Sequence, residues 1–287
     1  MPDNTFVKKI IYFFDLIRLN KPIGFLLLMW PCWFALAILE QSQGSIIIWY
    51  LYFLVGSFLM RSAGCIINDL IDINLDKKIE RTSQRPLTSG QISILESLIF
   101  LFTLLILAFY ILLQFNINTI LIGMFALPLV ILYPFLKRFT YWPQLGLGIT
   151  FSWGVLVVSI EFNNILNSQF LILYFGCVFW TLAYDTIYAY QDYKDDIQNN
   201  IKSTAVLFKE HGKIYVYVFY SVFFIVIGYL GYNSSNSLIS LIVIIPLIFV
   251  IGLYLNKWKI NSVKSSNHYF QFNNIIGLFC FIYLLIF

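Results

Sequence analysis

Hydrophobic residues run along this chain in long blocks separated by short polar connections. Blocks of about 18–22 residues, the helix length that crosses roughly 30 Å of hydrocarbon, predict helices over 22–39, 46–67, 94–113, 117–136, 142–160, 168–190, 214–231, 236–254 and 269–287. Only Gln114, Phe115 and Asn116 separate the third block from the fourth, which predicts a tight helical hairpin. The first 21 residues follow another pattern. Phe6, Ile10, Phe13, Phe14 and Ile17 share one helical face, with Lys8, Lys9, Asp15 and Arg18 elsewhere. That suits a short helix lying on the membrane surface ahead of the first span. The expected fold is all-α: one polytopic membrane domain over residues 1–287, with nine transmembrane helices.

Composition agrees. The chain is 60% hydrophobic, 19% aromatic and 11% charged, against about 25% charged in a soluble domain. Such a chain lacks the polar surface to stay in water, so its expected partner is the lipid bilayer. No nucleic acid and no obligate protein partner is expected. Cys32, Cys65, Cys177 and Cys280 are scattered without a CxxC pair and read as packing residues. His211 and His268 are the only histidines, which argues against a zinc or haem centre. Any metal is then held by oxygen. The N-terminus shows neither a signal-peptide cleavage pattern nor an Arg/Ser-rich presequence, so a bacterial inner membrane is the expected location.

Charge fixes the orientation. All 18 Lys and Arg residues fall on one side of the nine predicted spans, and the connections EQSQGS, QFN, EFNNILNSQ and NSSNS on the other side carry none. By the positive-inside rule the basic side is cytoplasmic and the C-terminus lies outside. Two cytoplasmic connections, 68–93 and 191–213, are long for a membrane bundle and hold half of the Lys, Arg, Asp and Glu residues. Long loops tend to carry function.

The first of these begins NDLIDINLDKK. Asn68, Asp72 and Asp76 recur every four residues and so line one helical face. Asp192 and Asp196 repeat the spacing in the second, with Asp185 two turns back on the same predicted face. Displacing the first segment by 124 residues aligns the two in part, which hints at two related four-helix units plus a ninth helix. Two acidic faces opposed across a bundle would surround hard cations, and Mg²⁺ takes one or two carboxylates together with substrate phosphates. A divalent ion would also offset acids that are costly at a membrane edge. A solvated loop face is the competing reading for any one of these acids, but it does not explain their repetition on matching spans. Arg81 and Arg85, in RTSQRPLTSG, sit where they would bind an anion. Lys137 and Arg138, in YPFLKRFTYWPQ, fit the same role or a topology signal alone. Arg61 and Asp185 lie inside apolar segments, where an ionisable side chain faces a cavity or a partner.

The stretches RLNKPIGFLLLMWP, RSAGCIINDLIDINLDKKIERTSQRPLTSG, YPFLKRFTYWPQ and DTIYAYQDYKDDIQNNIKSTAVLFKE resemble the UbiA family of intramembrane aromatic prenyltransferases along essentially the whole chain. NDxxDxxxD matches the family's first signature, and Asp192 with Asp196 its second. GFLLLMWP, DTIYA and KSTA most resemble the branch that prenylates 4-hydroxybenzoate in ubiquinone synthesis. The resemblance implies nine helices around a central cavity and an isoprenoid diphosphate held by Mg²⁺. Asn68, Asp72, Asp192 and Asp196 would hold the metal, with Asp76 beside them. One departure is Asn199-Asn200 where family members often carry glycine, and asparagine is the next most tolerant residue of a positive φ.

The expected reaction transfers a polyprenyl group from polyprenyl diphosphate to the 4-hydroxybenzoate ring, ortho to its hydroxyl. Arg81, Lys137, Arg138 and Lys202 would stabilise the departing diphosphate, and Arg61 or Arg18 the acceptor's carboxylate. Asp185, Asp69 or the diphosphate itself would take the ring proton. Alternatives are a family member serving menaquinone, haem O or tetrapyrrole synthesis, or a cation or isoprenoid-phosphate transporter. Transporters, however, place their ion sites near the midplane.

Overall fold

A computed structural model of the chain describes residues 4–43, 46–163 and 167–287. Residues 44–45 and 164–166, in two of the connections predicted to lie outside, fall beyond the described set. The described residues contain helices and turns and no strand. The helices are α1 (Asn4–Leu16), α2 (Ile23–Gln43), α3 (Ile47–Asp76), α4 (Ile94–Leu112), α5 (Ile117–Leu132), α6 (Leu136–Phe139), α7 (Pro143–Glu161), α8 (Ser168–Ala189), α9 (Tyr193–Gln198), α10 (Thr204–Phe208), α11 (Gly212–Ser235), α12 (Leu238–Asn256) and α13 (Val263–Ile286). Nine segments among the described residues are long and apolar enough to cross a membrane: α2, α3, α4, α5 through α6, α7, α8, α10 with α11, α12 and α13.

Local chemistry sets the helix starts. Asn116 and Asn167, in the connections free of basic residues, accept from the backbone N–H groups of Thr119 and Gln169, and Ser237 does the same for Ile239. Each supplies a partner that the first turn of a helix lacks. Ser93 and Glu96 form a capping box at the start of α4. Ser262 caps α13 at residue 263, six residues before the predicted start. The polar run VKSSNHYF is therefore helical, though apolar patterning could not mark it.

The helices α2, α7, α8, α11 and α13 pack against one another at the centre, while α4, α5 and α12 lie at the periphery with few buried side chains. The interior is aromatic: Trp180 stacks on Phe223 at 5.0 Å and packs beside Phe34 at 5.6 Å. One polar hub inside it is fully engaged. Asn273, fully buried, accepts from Trp180 Nε1 at 2.9 Å and the Tyr220 hydroxyl at 2.7 Å. An unpaired amide in an apolar interior costs several kcal/mol, of order 2–7, so this hub fixes how α8, α11 and α13 meet.

The expected surface helix is present as α1, with its contact face turned from the predicted one. Leu16 and Ile17 are buried against Leu59, Ile66 and Leu87, and Phe13 packs edge-on to Phe100 at 5.1 Å. Ile10 and Phe14 instead point outward, and the side chain of Phe6 is outside the described set.

The segment expected as a loop from 68 begins inside a helix. The thirty residues of α3 rise about 45 Å at 1.5 Å per residue, so its last turns project beyond a 30 Å hydrocarbon layer. The true connection is 77–93. The segment 191–213 is likewise built of α9, α10 and a 3₁₀ turn before α11 begins at Gly212.

Candidate active site

All the acids singled out sit at one end of the bundle, and contacts between connections hold that end together. Arg81 reaches Asp192, the Glu80 N–H donates to Asp195 at 3.2 Å, and the Lys202 N–H donates to the Lys137 carbonyl at 3.0 Å. Beneath them lies a cavity of about 300 Å³. Asn68, Asp76, Asp185, Asp192, Asp196, Arg61, Arg81, Lys137 and Lys202 all line it. Asp72 does not: it is fully buried directly behind Lys137, whose ammonium donates to Asp72 Oδ2. Arg138 is outside the cavity, donating to the Ile71 carbonyl at 2.9 Å, with Asp72 Oδ1 at 3.7 Å.

The acids form two banks. The first belongs to one face of α3, as the four-residue spacing predicts. The second departs from prediction. Helix α8 ends at Ala189, and Tyr190, Gln191 and Asp192 turn the chain before α9. Asp185 therefore does not continue the face of Asp192 and Asp196. The last two remain one turn apart, since the Asp196 N–H donates to the Asp192 carbonyl at 2.8 Å. Asn200 closes this segment at φ +55°, the left-handed turn for which glycine is favoured and asparagine tolerated.

The positive partners of these acids are side chains. Arg81 grips Asp192 with two parallel bonds, Nε–Oδ1 at 2.7 Å and Nη2–Oδ2 at 2.5 Å, and also donates to the Tyr188 hydroxyl at 2.8 Å. Arg85 joins Asp76 at 2.6 Å to Asp69 at 2.9 Å. Arg18, held at φ +58° just past α1, donates to Asp69 at 2.6 Å. Asp69 is thus buried between two guanidinium groups, tying the N-terminal segment and the 77–93 connection to α3. Lys202 is also engaged: its ammonium donates to the Phe139 carbonyl at 3.0 Å and lies 5.6 Å from the Tyr141 ring centre.

Several buried polar atoms at the site lack a partner, Arg18 Nη1 and Gln191 Nε2 among them. Asp72 Oδ1 is buried with no hydrogen-bond partner, and so is Arg61 Nε. Arg61 fits tightly because residue 24 is glycine, where a Cβ would stand 2.6 Å from that nitrogen. Its guanidinium lies 5.8 Å from the centre of the Phe151 ring. Asp196 is buried beside Asp192 and accepts from the Ser203 hydroxyl at 3.0 Å. Burial, and then the Asp192 charge, push its carboxyl up to about 7.

Among the described residues no three His, Cys, Asp or Glu side chains converge as a ready-made metal cage. Mg²⁺ does not ask for one, because it binds through one or two carboxylates and takes further oxygens from phosphate and water. The orphaned oxygen of Asp72, with Asn68, Asp76, Asp192 and Asp196 nearby, suits that partial set. Tyr188, Gln191, Asn267 and Gln271 also line the cavity and were missed from sequence. Tyr188 lies three residues past Asp185 on the same face of α8, the one signal that could have found it.

Nine membrane-length segments among the described residues, bundled around a charged cavity at one end, define a polytopic helical membrane protein. Residues 28–276 match the UbiA prenyltransferase family, and the chain belongs to it. It is 37% identical over 280 residues to 4-hydroxybenzoate octaprenyltransferase of Blochmanniella pennsylvanica, covering 96% of each chain. It is 48% identical over 201 residues to the mitochondrial 4-hydroxybenzoate polyprenyltransferase of Rattus norvegicus, covering 69% of this chain and 54% of that protein. The chain thus aligns with about half the length of the rat relative. The fold also matches a UbiA homolog from Archaeoglobus fulgidus bound to GPP and Mg²⁺, with TM-score 0.67 and 17% identity over 96% of this chain and all of the other.

Proposed function

We propose that the protein transfers a polyprenyl group from polyprenyl diphosphate to the ring of 4-hydroxybenzoate, ortho to the hydroxyl, in ubiquinone biosynthesis. The observation that carries this reading is the pairing, around one cavity, of two carboxylate banks with their own basic side chains and an unpartnered Arg61. The names of the relatives support the acceptor. Location in a bacterial inner membrane forms part of the proposal, supported by the bacterial relative, and the charge distribution supports a cytoplasmic side for the cavity.

Asn68, Asp72, Asp76, Asp192 and Asp196 would hold Mg²⁺, whose charge neutralises the diphosphate and makes it a better leaving group. Lys137, Arg81 and Arg85 now sit on the acids. When a diphosphate enters, these bases have a second anion to bind, and the carboxylates they release become ligands. Lys202 and Arg138, committed to backbone carbonyls at the rim, hold the segments around the opening. The allylic C–O bond breaks with its electron pair going to the diphosphate. The ring carbon ortho to the hydroxyl then bonds to the allylic carbon, and the ring proton leaves to a base. Asp185, which lines the cavity with Arg61, is the side-chain candidate for that proton, since Asp69 is closed between two arginines. Arg61 takes the acceptor's carboxylate and so holds the ring against the reacting carbon.

The test is to incubate membranes containing the protein with labelled 4-hydroxybenzoate, a polyprenyl diphosphate and Mg²⁺. The expected result is a lipid-soluble labelled product. Transfer to a naphthoate or to haem, with none to 4-hydroxybenzoate, would assign another branch of the family. Mg²⁺-dependent flux across proteoliposomes without any transfer would point to a transporter.

A further inference from the structure

Helix α7 starts at Pro143, at the end of the bundle that holds the acids, and Gln144, Leu147 and Phe151 turn one face of it into the cavity. Steps of three and four residues keep side chains on a single helical face. Gln144 is the polar one of the three. It is 6% exposed, and polar groups so buried are normally hydrogen-bonded. The Thr204 N–H donates to Gln144 Oε1 at 3.0 Å. A backbone N–H can only donate, so this bond fixes which way round the amide lies. The carbonyl faces α10, and the NH2 group is turned from it. No acceptor among the described residues takes that NH2 group. Two turns further along the same face is Arg61, whose guanidinium lies 5.8 Å from the Phe151 ring centre and whose Nε is buried without a partner. Gln144 and Phe151 are seven residues apart, about 10 Å of helical rise. Two donors in want of an acceptor thus stand at the two ends of one stretch of cavity wall, with Leu147 between them.

We infer that Gln144 is a specificity-determining residue: its NH2 group donates to the acceptor's hydroxyl oxygen, para to the carboxylate that Arg61 holds, and so fixes the far end of the ring. The inference rests on the proposed reaction for the identity of the acceptor. A para-disubstituted benzene ring with a hydrogen bond of about 3 Å at each end spans the two donors. A meta or ortho hydroxyl points off that line. The pose also sets which carbon is presented. The position ortho to the hydroxyl lies at the Gln144 end of the ring. Thr204 places that end beside Ser203, whose hydroxyl donates to Asp196. The reacting carbon therefore faces the second carboxylate bank, and the acceptor's own carboxylate points away from it. Diphosphate and carboxylate, both anions, are kept at opposite ends of the ring.

The test measures kcat/KM for 4-hydroxybenzoate and for 4-aminobenzoate in wild type, Gln144→Glu and Gln144→Leu. The second acceptor carries an NH2 donor at the para position, where the amide NH2 finds little to bond. Gln144→Glu keeps an oxygen for the Thr204 N–H and removes only the NH2 group, whereas Gln144→Leu removes both. A folding failure in the second leaves the first informative. The preference for 4-hydroxybenzoate over 4-aminobenzoate is expected to fall at least about fivefold in both, the scale of one hydrogen bond. An unchanged preference in a variant that purifies folded overturns the inference. So does an equal loss on the two acceptors, which is what mere support of α10 would give. A second measurement needs no turnover. Calorimetric titration of 4-hydroxybenzoate into protein loaded with Mg²⁺ and pyrophosphate should show binding weakened by a similar factor in Gln144→Glu, and wild-type affinity there contradicts the inference. If the wild type binds 4-hydroxybenzoate yet transfers no prenyl group, the proposed reaction fails, and the titration alone decides the role of Gln144.

Discussion

Replacing Arg61 by methionine tests its assignment to the acceptor's carboxylate. The guanidinium has a buried Nε without a partner and makes no ion pair among the described residues. Removing it breaks no protein hydrogen bond at that atom, and a methionine fills comparable space along Phe151. Stability should therefore move by less than about 1 kcal/mol, a shift of a few degrees in melting temperature. Binding should change far more. A hydrogen bond to a charged group is worth about 1.5–3 kcal/mol, so KM for 4-hydroxybenzoate should rise by roughly ten- to a hundredfold. The control is 4-hydroxybenzamide, which has the same ring without the charge and should lose less than about threefold. Arg61→Lys keeps the charge without the planar fork and should fall between. Steady-state prenyl transfer with both acceptors reads these values. An equal loss on the two acceptors, or no change on the acid, would refute the assignment of Arg61 to the carboxylate.

Lys137→Met leaves buried Asp72 with only the more distant Arg138 as a cation and should cost about 3 kcal/mol, read as a lower melting temperature in detergent. Adding Asp72→Asn should restore most of it. The Asp196 carboxyl, at about 7 in the fold, lies well above its unfolded value of about 3.9. The stability it contributes is fully present below pH 4 and is lost as pH rises through 7, so the metal-free melting temperature should fall from pH 5 to 8, and less so in Asp196→Asn. Metal needs the deprotonated form, so Mg²⁺ affinity by calorimetry should rise by up to about tenfold per pH unit below 7 and level off above 8. Asn200→Val forces a β-branched residue into φ +55° and should cost about 1–2 kcal/mol, whereas Asn200→Gly should be neutral or slightly stabilising in the same melts.

The spans were legible because a bilayer imposes one length on every crossing helix, and the asparagines and serines of the short connections sit where they cap. The acids were legible because a four-residue spacing survives in a helix whatever surrounds it. The pairings were not. Lys137 meets Asp72 across 65 residues and Arg18 meets Asp69 across 51, and no periodic signal links positions so far apart. The break after Ala189 was hidden for a different reason: Tyr190, Gln191 and Asp192 include neither glycine nor proline, so helical spacing extrapolates straight through them. For the same reason Asp69 remained open until Arg18 and Arg85 were seen to close on it.

The central claim is that the two carboxylate banks act together to release a diphosphate. Purified protein in liposomes, given polyprenyl diphosphate, 4-hydroxybenzoate and a titration of Mg²⁺, measures this directly in wild type, Asp72→Ala and Asp196→Ala. Wild type should make the prenylated product in proportion to bound metal. Each variant, one from each bank, should lose about 10²–10³ in turnover, the cost of removing one electrostatic element from such a site. Full turnover in either variant, or Mg²⁺-independent turnover in the wild type, would contradict it.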